Sequence, residues 1–315
     1  MNQRPIVILA GPTAVGKSAL AVSLAKRTDG VILSADSMQV YRHMDIGSAK
    51  ITPAEMQGVL HYLIDELEPF EEFHVVRFAE MAKKYLETIY AAGKLPIVVG
   101  GTGFYIQALL YDIDFTEQEG DAAYRGALLE LAAARGVEYL HDMLQKVDPA
   151  SAEAIHPHNR KRVIRALEFY HLTGEKISEH NETERRKESP YNFAYFVLNE
   201  DREKLYAKID ARVDQMAEQG LVEEVRRLKD MGCTADMVSM QGLGYKEILR
   251  YLDGECTLEE ALYIVKRETR HFAKRQLTWF KRERDVIWLQ KEEYEYNEER
   301  ILGEMLRILN DKHIV

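Results

Sequence analysis

The octapeptide GPTAVGKS at residues 11–18 fits G-x-x-x-x-G-K-[ST], a loop that holds a polyphosphate. Gly11 and Gly16 permit backbone conformations that let successive N–H groups converge on phosphate oxygens, with Pro12, Thr13, Ala14 and Val15 between them. Lys17 reaches terminal phosphates, and the Ser18 hydroxyl ligates Mg²⁺. An ATP-hydrolysing loop protein usually adds an Asp at the end of a neighbouring apolar strand to hold that ion. The apolar run at 95–100 ends instead in GGTG (100–103), whose adjacent glycines and Thr102 suit close approach to a ligand. The one strand-terminal Asp near the loop is Asp36, in SADSMQVY. On residue type and place alone, Asp36 can serve Mg²⁺, act as a general base, or cap a turn.

Two basic segments carry a different chemistry. NRKRVIR (159–165) puts Arg160, Lys161, Arg162 and Arg165 on about one and a half helical turns. Lys161 and Arg165 are i,i+4 neighbours, and Val163, Leu167 and Tyr170 face the other way. KRETRHFAKRQLTWFKRER (266–284) holds eight Lys/Arg against two Glu, with Phe272, Trp279 and Phe280 interleaved. Charge with aromatics suits a phosphate backbone and stacked bases; the alternative is a solvated helix face. His156 and His158 read as loop or cap residues, and Arg212, in KIDARVDQM, as a surface arginine.

These residues need a scaffold. PIVILA (5–10), VILS (31–34) and LPIVVG (95–100) are short β-branched runs bounded by Gly or Asp, the signature of buried parallel strands. Helical patterns lie between them, at 17–27 and from Val75 to Ile89. Strand, helix, strand, helix, strand implies an α/β fold with right-handed crossovers, a parallel-sheet core of the P-loop NTPase-like kind. After residue 115 three helical patterns follow without a strand signal, and 174–190 is polar and turn-rich, a plausible hinge. FAYFVL (193–198) and DVIWLQ (285–290) read as later strands, Thr257 and Glu260 as a capping box, and 291–315 as a peripheral acidic helix. The expected organisation is a core in two parts, 1–115 and 191–315, interrupted by an all-helical insertion at 116–190.

Composition sets outer limits. The chain has 315 residues, 46% of them hydrophobic, enough for a sizeable core. No apolar run approaches about 18 residues, so no membrane span is expected, and the N-terminal apolar run reads as a strand and not a signal peptide. Two cysteines without C-x-x-C spacing argue against zinc or a disulfide framework and for the cytoplasm. The net charge of −10 weighs little against a nucleic-acid partner, because binding follows local patches.

Taken together, GPTAVGKS, SADSMQVYRHMDIGSAK, HYLID, VVGGTGFYI, KRVIRALEFYHLTG, MQGLGYKEIL and TRHFAKRQLTWF resemble the tRNA dimethylallyltransferases, also called tRNA isopentenyltransferases. The likeness runs from residue 5 to about 290, and the absence of a C-terminal zinc finger points to the bacterial type. The resemblance implies transfer of a dimethylallyl group from its diphosphate to N6 of the adenosine 3′-adjacent to the anticodon. It implies that residues 11–18 hold the diphosphate, with Mg²⁺ as cofactor, and that Asp36 contacts the adenine and takes its amine proton. Ser37, Met38 and Gln39 would line the tRNA contact, Thr102 the reaction channel, and Arg212 would aid the leaving diphosphate. Lys161, Arg162, Val163, Ile164 and Arg165 would grip the anticodon arm of a tRNA held by one chain. Val15 and Phe104 depart from commoner small or aliphatic residues. Competing readings are a P-loop kinase or ATPase that binds a nucleotide, the same transfer onto free AMP or ADP, and a non-catalytic RNA-binding module.

Overall fold

All five strands expected from β-branched runs are present, and they lie in one sheet. The computed structural model describes residues 3–113 and 121–315. The chain divides into two compact units, Met1–Asp112 with Pro190–Val315, and Ile113–Ser189. The expected boundary at 115/116 lies outside the described residues.

The first unit opens with β1 (Arg4–Ala10), α1 (Lys17–Thr28), β2 (Gly30–Ser34), α2 (Pro53–Met56), β3 (His61–Tyr62), α3 (Val75–Ala91), β4 (Leu95–Gly100) and α4 (Gly103–Leu110). The second unit holds α5 (Ala122–Arg135), α6 (Val137–Val147), α7 (Pro149–Ala154), α8 (Arg160–Thr173) and α9 (Ile177–Arg186). The first unit then resumes with β5 (Tyr191–Asn199), α10 (Arg202–Glu218), α11 (Leu221–Asp230), α12 (Tyr245–Leu252), α13 (Leu258–Phe280), β6 (Val286–Gln290) and α14 (Glu298–Asp311).

The sheet order is β3-β2-β4-β1-β5-β6, and every pairing is parallel. This is the α/β, P-loop NTPase-like architecture expected from the sequence. Strand β3 is new: two residues are too few to show a period. Ile6 to Ala10 of β1 are fully buried at 0% exposure, as a strand covered on both faces must be. Helix α1 buries Leu20, Ala21, Leu24 and Ala25. Helix α3 buries Phe78, Ala82, Leu86 and Ile89. The capping box opening α13 forms as expected: Thr257 N–H donates to Glu260 Oε2 at 2.8 Å, and Glu260 N–H to Thr257 Oγ1 at 3.2 Å.

Two expectations need correction. The stretch 174–190 is not a turn-rich hinge; most of it is α9. Ile177 is its only aliphatic side chain, so no apolar period marks it. The helix is held instead by Asp148, fully buried, whose carboxylate accepts from Ser178 N and Oγ at 3.0 and 2.7 Å. The same carboxylate takes Ser151 N and Oγ at the start of α7, at 3.0 and 2.7 Å. Burial pushes the Asp148 carboxyl up, but these hydrogen bonds outweigh it and hold the group below its usual range.

The acidic C-terminal helix is not peripheral either. Ile301, Leu302, Met305 and Leu309 of α14 are buried in one core with Val7, Leu9 and Phe196 of the sheet. Burying each such side chain is worth about 1.5–3 kcal/mol. Met305→Ala should therefore lower the stability of this unit by about 2–5 kcal/mol, seen as a fall in urea midpoint at unchanged slope. A peripheral helix would leave the midpoint where it was.

Candidate active site

The phosphate loop leaves β1 and enters α1. Gly11 has φ 149, and a Cβ there would stand 2.4 Å from the Leu198 carbonyl oxygen, so only glycine fits. Gly16, with φ 96, sits at the N-cap of α1 without a side-chain cap bond. The first N–H groups of the helix are therefore left for a ligand, where the helix dipole favours an anion. Thr13, Ala14, Gly16, Lys17 and Ser18 line a chamber of about 250 Å³, while Gly11, Pro12 and Val15 are buried behind it. Lys17 Nζ donates to the Pro12 carbonyl at 2.7 Å. Desolvation pulls the Lys17 pKa down to about 8, with Asp36 opposing and Arg212 adding to the fall.

Asp36 follows β2 at the same edge of the sheet. Its Oδ1 accepts Met38 N–H at 2.8 Å and Gln39 N–H at 3.3 Å, so it caps a turn and is held by it. Oδ2 takes neither bond. A second chamber of about 350 Å³ adjoins the first, and both are lined by Thr13, Ala14, Asp36, Arg212 and Phe272. Asp36 thus stands at the seam of one two-chambered cleft. Ser37, Met38 and Thr102 line the second chamber, and Gln39 the first. Gln39 Nε2 donates to Ala49 O at 3.2 Å, so its amide also braces the loop beside it. Glu200, the acid that follows β5, pairs with Lys208 and lines neither chamber.

Arg212 refines the sequence reading. It is exposed, as its spacing implied, but the surface it stands on is the wall of both chambers. Water reaches it, yet desolvation by those walls lowers its pKa, with Glu55 opposing. In the first chamber two cations, Lys17 and Arg212, therefore stand with two carboxylates, Asp36 and Glu55. For a metal, the chamber offers hard oxygen donors, Ser18 Oγ and Asp36. Among the described residues no group of three or more His, Cys, Asp or Glu could hold an ion unaided. A cation here would need phosphate oxygens from a ligand, which is how Mg²⁺ is commonly bound.

Several functional supports escape a reading by motif. The loop 45–49 wraps Glu224, buried on α11: Asp45 and Ile46 N–H donate to Oε2 at 2.9 and 2.8 Å, and Gly47 N–H to Oε1 at 3.0 Å. Tyr245 OH adds a fourth bond at 2.9 Å. Lys50 Nζ ties Tyr41 O at 2.7 Å to Asp45 at 2.6 Å. These bonds hold Gly47, Ser48 and Ala49 against the second chamber. Gln276, Glu55 and His61 also line the first chamber, and burial lowers the His61 pKa against its bond to Val59 O.

The basic segments divide. In the helical unit, Arg160, Lys161, Arg162 and Arg165 of α8 are exposed. Val163 and Ile164 do not present side chains with them; at 0% and 5% exposure these form that unit's core with Leu128, Leu140 and Leu144. Tyr170, expected to face inward, is exposed. On α13, Lys266 pairs with Asp214 at 2.6 Å and Arg270 with Asp210, while Lys274 and Arg275, and Lys281 and Arg282 just past the helix, are exposed. The aromatics interleaved with these cations point inward: Phe280 is fully buried, Phe272 lines the cleft, and Trp279 packs on Gly103.

Comparison with known proteins adds a family. Residues 39–283 match the family described as IPP transferase, and residues 4–71 the isopentenyl transferase family. A tRNA dimethylallyltransferase of Lachnoclostridium phytofermentans is 63% identical over 312 residues, 99% of each chain. One of Acetivibrio thermocellus is 50% identical over 296 residues, covering 94% of this chain and 95% of its own. The solved tRNA isopentenylpyrophosphate transferase of Bacillus halodurans is 44% identical, covers 99% of this chain and 98% of its own, and superposes with a TM-score of 0.74. A eukaryotic dimethylallyltransferase solved while acting on tRNA is 30% identical, covers 91% and 74%, and has a TM-score of 0.78.

The electrostatics of Lys17 set a pH dependence. An anion in the first chamber favours the ammonium form, which the empty site holds only up to about pH 8. Affinity for a diphosphate ester should fall above that pH, by up to about tenfold per unit. Lys17→Arg keeps its charge, so its affinity should not fall between about pH 8 and 9.5. Calorimetric titration of both proteins across this range checks the difference; parallel curves would remove Lys17 from the anion site.

Proposed function

The chain belongs to the IPP transferase family, the tRNA dimethylallyltransferases, and on that footing we propose the chemistry that its cleft performs. The donor is dimethylallyl diphosphate, and the acceptor is N6 of the adenosine 3′-adjacent to the anticodon. Diphosphate is released. The observation that carries this reading is the place of Asp36 and Arg212 at the seam between a chamber floored by the phosphate loop and a second chamber. A donor and an acceptor can enter separately and meet at a carboxylate.

The N6 lone pair attacks the allylic carbon as the carbon–oxygen bond breaks. The bond electrons leave with the diphosphate, and the N6 proton passes to Asp36. An exocyclic amine is a poor nucleophile, so a carboxylate fixed on its proton helps as alkylation proceeds. Lys17, Arg212 and the uncapped N–H groups of α1 face the growing charge on the departing oxygens. Preorganised donors of this kind are worth most in a site that excludes water. Mg²⁺, held by Ser18 Oγ with the phosphate oxygens, would neutralise part of the same charge. Thr102, Ser37 and Met38 border the adenine, and Gln39 lies on the donor side of the seam.

The target amine has to leave its stack to reach Asp36. That costs a few kcal/mol, least in a loop already single-stranded. Lys161, Arg162 and Arg165 on α8, together with the exposed cations of α13, supply phosphate contacts that offset it. The reaction as proposed needs one chain and, with tRNA as its substrate, a cytoplasmic setting. No helix among the described residues is long and apolar enough to cross a membrane.

Labelled dimethylallyl diphosphate offered with unmodified tRNA, with AMP, and with ATP in place of the donor tests the whole reading. Label should enter tRNA alone, without ATP turnover. Asp36→Ala should slow transfer by about two to four powers of ten while tRNA affinity changes little. Near-normal turnover in that variant would sink the assignment. Changing Lys161, Arg162 and Arg165 together to Ala should weaken tRNA binding and cut its log–log salt slope by about two. An unchanged slope would make α8 a solvated face.

A further inference from the structure

Gln276 lies within the basic segment 266–284 but carries none of its charge, and it touches both loops of the first chamber. It lies on α13 and is 6% exposed. Its Oε1 accepts the Thr13 N–H at 2.9 Å, and its Nε2 donates to the Gly101 carbonyl at 2.9 Å. Reversing the amide would set donor against donor and acceptor against acceptor, so the orientation is fixed by its partners. Thr13 belongs to the loop after β1, and Gly101 to the loop after β4. The approach is so close that a Cβ on Gly101 would stand 2.1 Å from Nε2.

We infer that Gln276 is a positioning residue that sets the gap between the phosphate loop and the glycine loop in which the diphosphate sits. The inference rests on the proposed function for the identity of the ligand, and on the hydrogen bonds alone for the gap. Thr13 N–H is committed to Gln276, so the N–H groups that meet phosphate come from further along the loop. An amide is the side chain that can accept from one backbone and donate to the other while carrying no charge. A carboxylate of the same length would lose the donor and set a negative charge beside the departing diphosphate.

The test uses the full-length protein and inorganic diphosphate with Mg²⁺ as probe, beside steady-state transfer to tRNA. Gln276→Met keeps length and volume but makes neither bond. Its diphosphate affinity should fall about tenfold or more, with KM for the prenyl donor raised and tRNA affinity close to wild type. Gln276→Glu retains one more hydrogen bond than Gln276→Met and should nevertheless bind diphosphate more weakly. A purely structural role predicts the opposite order. Gly101→Ala should weaken diphosphate binding in the native background and add little once Gln276→Ala has made room, a non-additive cycle. Wild-type diphosphate affinity in Gln276→Met, additive behaviour, or a variant that loses tRNA binding and melting temperature together overturns the assignment. Wild-type protein that binds diphosphate but transfers nothing to tRNA overturns the proposed function instead, and the diphosphate affinities still judge Gln276.

Discussion

All strands of the sheet run the same way, and everything else at the site follows from that constraint. Parallel strands deliver the loops that follow them to one edge. The phosphate loop after β1, Asp36 after β2 and the glycine loop after β4 therefore meet without any long excursion of the chain. Strand β1 lies between β4 and β5, so the phosphate loop emerges where the connections part to either side. Crowding at that point explains Gly11, whose missing side chain lets β5 pass at the Leu198 carbonyl.

A second layer fixes what the sheet edge only brings near. The buried carboxylate of Glu224 collects three backbone N–H groups and a phenol, and that set gives the 45–49 loop its shape. Removing it would strand three part-buried donors, each costing up to about 1–3 kcal/mol according to how far water can replace the bond. The stretch DIGSAK is thus read best as a wrapping for an anion from α11 and as a brace by Lys50. Its contact with the cleft comes through Gly47, Ser48 and Ala49. Asp148 does equivalent work in the helical unit, joining the starts of α7 and α9 through four bonds.

Charge behaves locally in the same way. The chain carries −10 overall, yet its cleft presents Lys17 and Arg212. The chamber walls partly desolvate both cations and lower their pKa values. A desolvated cation recovers that loss when an anion arrives, so an acidic protein can still have a cleft tuned for diphosphate.

What the sequence alone determined is whatever depends on neighbours along the chain. β-Branched runs marked five strands, G-x-x-x-x-G-K-[ST] the anion loop, and Thr257 with Glu260 the start of α13. Each is a local matter of period, backbone freedom or capping. Even α14 was legible, since Ile301, Met305 and Leu309 recur at helical spacing, although only packing showed them to be core. Tertiary structure decided the rest. Arg212 looked like any arginine on an amphipathic helix until α10 was set against the phosphate loop. Val163 and Ile164 share a motif with exposed cations but turn into the core of their own unit. Helix α9 rests on an aspartate 30 residues away, the loop at Gly47 on a glutamate 177 away, and Thr13 on a glutamine 263 away. No local period records such bonds, because each partner is an ordinary polar residue until folding removes water and leaves it one place to bond.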